Sequence, residues 1–273
     1  MSRILHLSDP HFGAVSLEAA QTFLREAGGL APDLTILSGD LTMRARRGEL
    51  SDAKRFVDSL PTPLLVIPGN HDIPALNQPF DRFFAPFRRY RETISPALSP
   101  TLRVPGVHAV GVNSSIAFGR RIDWSTGHLS HEDFRHIAKG FTTGTHDGDL
   151  RVLVLHHPLL APPGHRRAVV QPMPRLLETM SRHRIDLVLC GHFHVSLIAT
   201  IGTGWSTVVS QAPTVCSTRL QGEPPGFHLI TTEADELAIE LRQFDGNGFT
   251  PSHTKRFRRV ADGWQAADGR PEI

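Results

Sequence analysis

Residues 34–72 read LTILSGDLTMRARRGELSDAKRFVDSLPTPLLVIPGNHD, and this stretch decides the fold class. Two aliphatic runs, at 34–37 and 64–67, flank a segment in which apolar side chains recur at helical spacing from Leu50 to Leu60. The aliphatic runs are nearly continuous rather than alternating, which is typical of strands buried on both faces. A strand, a helix and a second strand in this order predict a βαβ unit with parallel strands.

The same pattern extends in both directions along the chain. Further aliphatic runs lie at 4–7, 107–112, 152–155 and 187–190. Helical patterns lie at 17–27, where Ser16 is a candidate cap, in a short segment after Ser130 up to 137, and at 174–184. In the last third, strand-like runs at 195–201, 207–210, 227–231 and 237–244 follow one another through Gly/Pro turns without an intervening helix. The sequence therefore predicts a mixed α/β (α+β) fold, in which two mixed β-sheets pack together with helices outside.

Composition excludes several classes of protein. Of the 273 residues, 40% are hydrophobic and 21% are charged, which is ordinary for a globular chain and wrong for a disordered one. Cys190 and Cys216 are too few for a disulfide framework and are expected to be reduced thiols. The net charge of +2 argues against a large polyanion-binding surface, so we expect no nucleic-acid partner. With no signal-peptide pattern and no run of about 18 apolar residues, a cytoplasmic protein without a membrane span is predicted.

The chain carries no linker or internal repeat that would divide it. We therefore expect residues 1–273 to form a single domain, ending in a basic tail at about 251–273. The charge of this tail comes from HTKRFRR at 253–259. It is interpreted as a solvated tail or sheet edge, with attraction to phosphate or to a membrane surface as the alternative.

Polar clusters directly follow five of the aliphatic runs. They are SDPH at 8–11, SGD at 38–40, PGNHD at 68–72, HHP at 156–158 and GHFH at 191–194. Ligands bind beyond the carboxyl ends of strands in open α/β sheets, so these clusters should meet at one rim. Residues two apart in an extended segment point to the same side, which predicts that Asp9 chelates with His11, and His192 with His194.

The side chains expected at this rim are carboxylates, one amide and imidazoles. Such a set suits Mn, Fe or Zn better than Ca²⁺ or a closed structural zinc site. Seven ligands of this kind are too many for one catalytic metal ion but suit two ions that share a carboxylate. Two ions about 3.5–4 Å apart clamp the attacking and leaving oxygens of a phosphoryl transfer and lower the pKa of a water between them.

The five blocks D-x-H, G-D, G-N-H-D, H-H-P and G-H-x-H, in this order from Asp9 to His194, resemble the signature of the calcineurin-like metallophosphoesterase superfamily. The resemblance implies a four-layer αββα sandwich with a binuclear metal centre. Transferred block by block, it implies that one metal ion is held by Asp9, His11 and His194, the second by Asn70, His156 and His192, and both by Asp40.

The resemblance also implies two catalytic residues. His71 would contact the phosphate and protonate the leaving oxygen without binding metal, and Asp72 would orient His71. Either histidine of the HHP block is a candidate ligand. His156 is favoured over His157 because it directly ends the strand run.

Within the superfamily, the stretch from GDLT to VIPGNHD is most similar to bacterial class III cyclic nucleotide phosphodiesterases and glycerophosphodiesterase-like enzymes. Leu41 and the residues after it depart from the GDxxDRG block of the protein Ser/Thr phosphatases. The resemblance implies hydrolysis of a small phosphodiester, a cyclic nucleotide above all, by a hydroxide that bridges the metals. A phosphomonoesterase, a nuclease of the same superfamily and a non-catalytic interaction module remain as alternatives.

Segments between the blocks are expected to line the mouth of the site. His165 and Arg166 follow the HHP block closely and are candidate substrate-binding residues. PFDRFFAPFRRY at 79–90 is interpreted as an amphipathic helix that packs its phenylalanines inward or forms a dimer contact, with a lid or base-stacking surface as the alternative. The oligomeric state stays open, and a homodimer is one candidate.

Overall fold

The computed structural model describes residues 1–117, 126–161 and 169–267. The strands are β1 Ser2–Leu7, β2 Leu34–Leu37, β3 Leu64–Val66, β4 Thr101–Val104, β5 Val107–Gly111, β6 Leu150–Val154, β7 Leu187–Cys190, β8 Leu197–Ile201, β9 Thr207–Gln211, β10 Gly226–Glu233, β11 Glu236–Phe244, β12 Phe249–Val260 and β13 Gly263–Ala266. The helices are α1 Leu17–Ala27, α2 Arg47–Asp58, α3 Pro79–Phe84, α4 Arg88–Thr93, α5 His131–Thr143 and α6 Met173–Arg182. None of the helices in the described ranges combines the length and the apolar character of a membrane span.

Two mixed sheets form the centre of the molecule. The first has the strand order β13-β12-β11-β10-β1-β2-β3, in which β1, β2 and β3 are parallel. The second has the order β4-β5-β6-β7-β9-β8, in which β5, β6, β7 and β9 are parallel. The parallel strands of each sheet therefore have their carboxyl ends on the same side, and the polar clusters follow these strand ends.

Apolar side chains fill three interfaces between four layers. Ile36 and Val152 belong to the buried cluster between the two sheets. Phe23 of α1 belongs to the cluster on the outer face of the first sheet, where α2 also packs. Ile137 of α5 and Leu176 of α6 belong to the cluster on the outer face of the second sheet. The predicted αββα sandwich of two mixed sheets is thereby confirmed.

Two helices begin where local signals place them. The side chain of Ser16 accepts the N–H of Ala19 at 3.3 Å before α1. The side chain of Ser130 accepts the N–H of Asp133 at 3.3 Å before α5. Both serines satisfy an N–H group that has no partner within its helix, which is why these starts are legible in the sequence.

The basic segment predicted as a tail is part of the first sheet. Residues of β12 pair with β11, and with β13 only from Phe257 to Val260, so the tail prediction is wrong up to Ala266. The other form of the prediction, a sheet edge, describes the part of β12 before Phe257, which pairs with β11 alone among the strands of the described ranges. Phe257 is buried while its neighbours Arg256 and Arg258 are exposed, which is the alternation of a half-buried strand. Arg259 is held by Asp186, 2.9 Å from its guanidinium. The run of basic residues masked this alternation in the sequence.

The phenylalanine-rich segment also differs from its favoured interpretation. It forms two short helices, α3 and α4, because Pro86 between them cannot continue a helix. Phe80 and Phe84 are 72% and 77% exposed, whereas Arg82 is buried. The predicted inward packing of the phenylalanines is therefore wrong. A six-residue helix is too short to bury an apolar face once its arginine points inward.

Candidate metal centre

The polar clusters meet at the carboxyl-terminal edge of the parallel strands of both sheets. The residues brought together there are Asp9 after β1, Asp40 after β2, Asn70 and His71 after β3, His156 after β6, and His192 and His194 after β7. His11 joins them from the segment that follows Asp9. His71 is half-buried and the others are buried.

One group of possible ligands consists of Asp9, His11 and His194. The Nε2 atoms of the two histidines are 2.9 Å apart. Oδ1 of Asp9 lies 3.3 Å from Nε2 of His194 and 3.6 Å from Nε2 of His11. This oxygen is buried and has no hydrogen-bond partner within the described part of the chain.

A second group surrounds the amide oxygen of Asn70. This oxygen lies 3.1 Å from Nε2 of His156 and 3.1 Å from Nδ1 of His192. Oδ2 of Asp40 lies 3.3 Å from Nε2 of His156 and 3.7 Å from Nε2 of His11. The Asp40 carboxylate therefore stands between the two groups.

Hydrogen bonds on the far side of the rings orient three of these histidines. Nδ1 of His11, His156 and His194 lies 3.2, 2.9 and 2.7 Å, respectively, from a main-chain carbonyl oxygen. A carbonyl only accepts, so Nδ1 donates, and in the neutral ring Nε2 carries a lone pair. Two such lone pairs repel at 2.9 Å unless a cation lies between them. The donor set and its orientation therefore fit metal ions, whose histidine ligands commonly donate their second N–H in this way.

The electrostatics of the site also favour a cation. Burial raises the pKa of Asp40, but the neighbouring imidazoles, His156 foremost, hold this pKa well below its ordinary value. Burial lowers the pKa of His156, but the carboxylates of Asp40 and Asp9 and the main-chain carbonyl of Ser38 together outweigh burial and raise this pKa to about 9. The field that stabilises a proton on His156 stabilises a metal cation in the same place, in competition with that proton.

The backbone of the candidate ligands is strained. A left-handed conformation, with φ between 51° and 78°, is shared by Asp9, His11, Asp40, His192 and His194. The prediction that the D-x-H and H-x-H pairs converge because they are extended is therefore wrong. They converge through tight turns after the strands. Each such residue costs on the order of 1–3 kcal/mol, and this conformation persists only where the surrounding structure imposes it.

Comparison with known proteins identifies the family of this chain. The sequence model of the Calcineurin-like phosphoesterase family matches residues 2–196. The chain belongs to this family. A protein of Synechococcus sp. named "Probable cyclic nucleotide phosphodiesterase" is 24% identical to the phosphoesterase over 236 residues, which are 82% of this chain and 81% of the relative. Glycerophosphodiester phosphodiesterase GpdQ of Enterobacter lignolyticus is 34% identical over 80 residues, 25% of this chain and 29% of the relative.

Two solved structures share the fold of the phosphoesterase at low sequence identity. Purple acid phosphatase PPD1 from yellow lupin superposes with a TM-score of 0.64 at 14% identity, and the match covers 93% of this chain but only 53% of the lupin protein. GAP50, the anchor in the inner membrane complex of Plasmodium, superposes with a TM-score of 0.62 at 10% identity, over 96% of this chain and 90% of that protein. These similarities show the fold alone.

Asp72 of the phosphoesterase joins two of the ligand-bearing loops. Its carboxylate accepts the main-chain N–H of Thr42 at 2.9 Å, beyond Asp40, and that of Gly69 at 2.9 Å. The ring of His71 is oriented by another group, since its Nδ1 lies 2.8 Å from the carbonyl oxygen of Met43. The prediction that Asp72 orients the His71 ring is therefore wrong, and Asp72 instead holds the backbone around Asp40.

Gly69 permits the close approach of these two loops. A Cβ at this position would overlap Oδ1 and the main-chain nitrogen of Asp40. We expect Gly69→Ala to lower the free energy of unfolding by about 1–3 kcal/mol, because the loops cannot both keep their places. Urea denaturation measures this change. Gly48→Ala on α2 is the matched control, since a Cβ there meets nothing within 4 Å and alanine favours the helix. Equal stability of Gly69→Ala and wild type would contradict the overlap.

His157 occupies a different environment from His156. Its Nδ1 lies 2.8 Å from Oγ of Ser114, and burial holds its pKa well below the ordinary value. Its ring nevertheless lies beside those of His156 and His192. One ring nitrogen from each of the three histidines lies within 4.8 Å of the other two. Of the two HHP histidines, His156 is the one whose Nε2 faces Asp40 and Asn70.

Two histidines outside the motifs lie buried between the sheets. Nε2 of His6 is 3.0 Å from Oγ of Ser38, and Nδ1 of His228 is 2.7 Å from Oγ of Ser210. Nδ1 of His6 lies 3.4 Å from the same Ser210 oxygen. Burial lowers the pKa of His6 to about 3, so the ring is neutral. These side chains form a polar bridge between the sheets beneath the candidate metal centre.

The predicted substrate residues His165 and Arg166 lie outside the described residues. Within the described ranges, a cleft of about 440 Å³ opens beside His71, and its lining includes Arg44, Arg82 and Arg219. Sequence reasoning missed Arg219, because no motif marks it. The only local signal is that it follows the last block of the signature by 25 residues, in a Gly/Pro-bounded loop.

Proposed function

We propose that this phosphoesterase is a binuclear metal-dependent phosphodiesterase that hydrolyses small phosphodiesters, cyclic nucleotides above all. The position of Asp40 carries the proposal, because its Oδ2 lies within 3.7 Å of a histidine nitrogen from each ligand group. The diester preference and the cyclic nucleotide are supported by the names of the relatives in Synechococcus and Enterobacter.

Each of the two groups of candidate ligands would hold one metal ion. One metal ion would be held by Asp9, His11 and His194, and the other by Asn70, His156 and His192, with Asp40 shared by both. Oxygen and nitrogen ligands of this kind accept Mn, Fe or Zn. Bound there, two metal ions supply a nucleophilic water of lowered pKa and neutralise charge on the phosphoryl group.

His71 would assist departure of the leaving group. Its Nδ1 donates to the carbonyl oxygen of Met43, which directs Nε2 toward the cleft and fixes the ring edge-on to His11, 4.9 Å between centroids. From this position a proton on Nε2 can pass to the leaving oxygen as the phosphorus–oxygen bond breaks. Asp72 contributes by keeping the His71 and Asp40 loops in register.

The test is a substrate panel run on protein loaded separately with Mn, Fe or Zn. The panel contains bis(p-nitrophenyl) phosphate, p-nitrophenyl phosphate, 3′,5′- and 2′,3′-cyclic nucleotides, a glycerophosphodiester and single-stranded DNA. We expect kcat/KM to be highest for small diesters, EDTA to abolish turnover and metal addition to restore it. A protein that binds metal but prefers monoesters or DNA would replace the diester proposal by one of the alternatives. A protein that binds no transition metal would favour the interaction module.

Two further proposals concern the setting of this activity. We propose that residues 1–273 act as one domain and that the protein works in the cytoplasm. A homodimer is one candidate for the oligomeric state. The proposed compartment is supported by Cys190 and Cys216, which are buried and form no disulfide with each other. Light scattering on the purified protein measures the oligomeric state.

A further inference from the structure

Arg219 contacts Nε2 of His71, the ring nitrogen that is not bonded to the carbonyl oxygen of Met43. Nη1 of Arg219 lies 3.3 Å from Nε2 of His71 and 3.8 Å from the sulfur of Met43. A guanidinium only donates, so Nε2 of His71 accepts here and cannot at the same time carry the proton for a leaving group. The arrangement without substrate therefore differs from the one that proton donation by His71 requires.

The guanidinium of Arg219 is available for an anion. It forms no ion pair with any acidic side chain among residues 1–117, 126–161 and 169–267, although the side chain is only half-buried. A neutral imidazole nitrogen is a weak partner for a guanidinium, and a phosphoryl oxygen is a stronger one. Arrival of an anionic phosphoryl group would thus draw Arg219 away from His71.

The backbone of Arg219 is tied to the candidate metal centre. Its carbonyl oxygen accepts Nδ1–H of His194 at 2.7 Å, and its N–H donates to Oγ of Ser217 at 3.1 Å. The hydroxyl of Thr218 donates to the carbonyl oxygen of Ala14 at 2.9 Å, which anchors the same loop to the segment after His11. The loop that orients one candidate ligand therefore also sets the position of the guanidinium.

We propose that Arg219 is a substrate-binding residue whose guanidinium binds a non-bridging oxygen of the scissile phosphoryl group and, in doing so, releases Nε2 of His71. The inference rests on the proposed function, since it names how the same site takes its phosphodiester. The lining of the same cleft includes Arg44 and the apolar residues Ile73 and Leu76. The cleft thus matches a singly charged phosphodiester whose leaving portion is partly apolar, as in a nucleoside.

The first test compares Arg219→Gln and Arg219→Lys with the control Arg135→Gln, which alters an exposed arginine on α5. The readouts are KM and kcat for bis(p-nitrophenyl) phosphate, the affinity for inorganic phosphate by calorimetry, and bound metal per chain. We expect Arg219→Gln to raise KM and to weaken phosphate binding by roughly 10- to 100-fold, the size of a charge-assisted hydrogen bond. Arg219→Lys should restore part of the loss, and bound metal should stay at the wild-type level.

A second measurement separates direct binding from an effect through His71. In the His71→Ala background, Arg219→Gln should weaken phosphate binding by at least the same factor as in wild type, because no imidazole then competes with the phosphate for the guanidinium. Loss of the effect in that background, or a fall in kcat with unchanged KM, would overturn the proposal in favour of a positioning role. Loss of metal from Arg219→Gln would overturn it as well. Phosphate binding does not need turnover, so an inactive but phosphate-binding wild type would contradict the proposed function and leave this inference standing.

Discussion

Asp40→Asn is expected to lower kcat/KM by about 10³-fold or more and to reduce the bound metal per chain. The asparagine keeps an oxygen for the main-chain N–H of His71, which Oδ1 of Asp40 accepts at 2.8 Å. It removes the negative charge that faces His11 and His156. Stabilisation of transition-state charge by metal is worth several kcal/mol, and about 4 kcal/mol corresponds to a factor of 10³.

Steady-state kinetics and elemental analysis measure the two effects together. Asp58→Asn is the matched control, because Asp58 is exposed on α2 and, among the residues that the structure describes, pairs with Lys54 alone, four residues earlier. An exposed pair of this kind contributes about 0.5 kcal/mol or less, so activity should not change. Far-ultraviolet circular dichroism shows whether the Asp40 variant is folded. A folded variant with wild-type activity and two metal ions would refute the shared role of Asp40.

His71→Ala is expected to keep the metal content and to lower kcat by about 10²- to 10⁴-fold for substrates with a poor leaving group, the range of general acid catalysis. The side chain lines the cleft, and His71 belongs to none of the possible ligand groups found among the described residues. A p-nitrophenolate leaves without a proton. The loss should therefore be much smaller for bis(p-nitrophenyl) phosphate than for a diester that releases an alkoxide.

The comparison of the two substrates distinguishes proton donation from simple phosphate binding. His253→Ala, on the exposed face of β12, is the control for loss of a histidine. An equal loss on both substrates would show that His71 binds the phosphoryl group without protonating the leaving oxygen. Loss of metal from His71→Ala would instead identify His71 as a ligand.

The sequence predicts secondary structure correctly where the interactions that decide it lie within one segment. The aliphatic runs became parallel strands, because a strand buried on both faces is apolar at most of its positions. Ser16 and Ser130 precede α1 and α5, because a cap acts on N–H groups only three residues away. The five polar blocks are local as well, since each lies within a few residues of a strand end. Their order along the chain resembles the signature of the family.

The predictions from sequence are wrong where contacts with residues distant in the chain decide the local conformation. The exposure of Phe80 and Phe84 follows from the burial of Arg82, which no periodicity in the segment indicates. β12 owes its place in the sheet to pairing with β11 and β13, and its run of basic side chains hid the strand alternation. The left-handed φ of Asp9 and His192 reflects a mutual constraint, since the N–H of His192 donates to the Asp9 carboxylate at 2.9 Å.

The sequence by itself determined the fold class, the family and the residue types at the rim. Only the tertiary structure decided how those residues face one another. Nε2 of His11 and Nε2 of His194 are 2.9 Å apart although the residues are separated by 183 positions, and Arg219 reaches His71 across 148 positions. Such contacts depend on how two sheets pack and how their loops turn. The spacing of residues along one strand or helix holds no record of that packing, so the lone pairs that fit a cation and the arginine beside His71 became visible only in the folded chain.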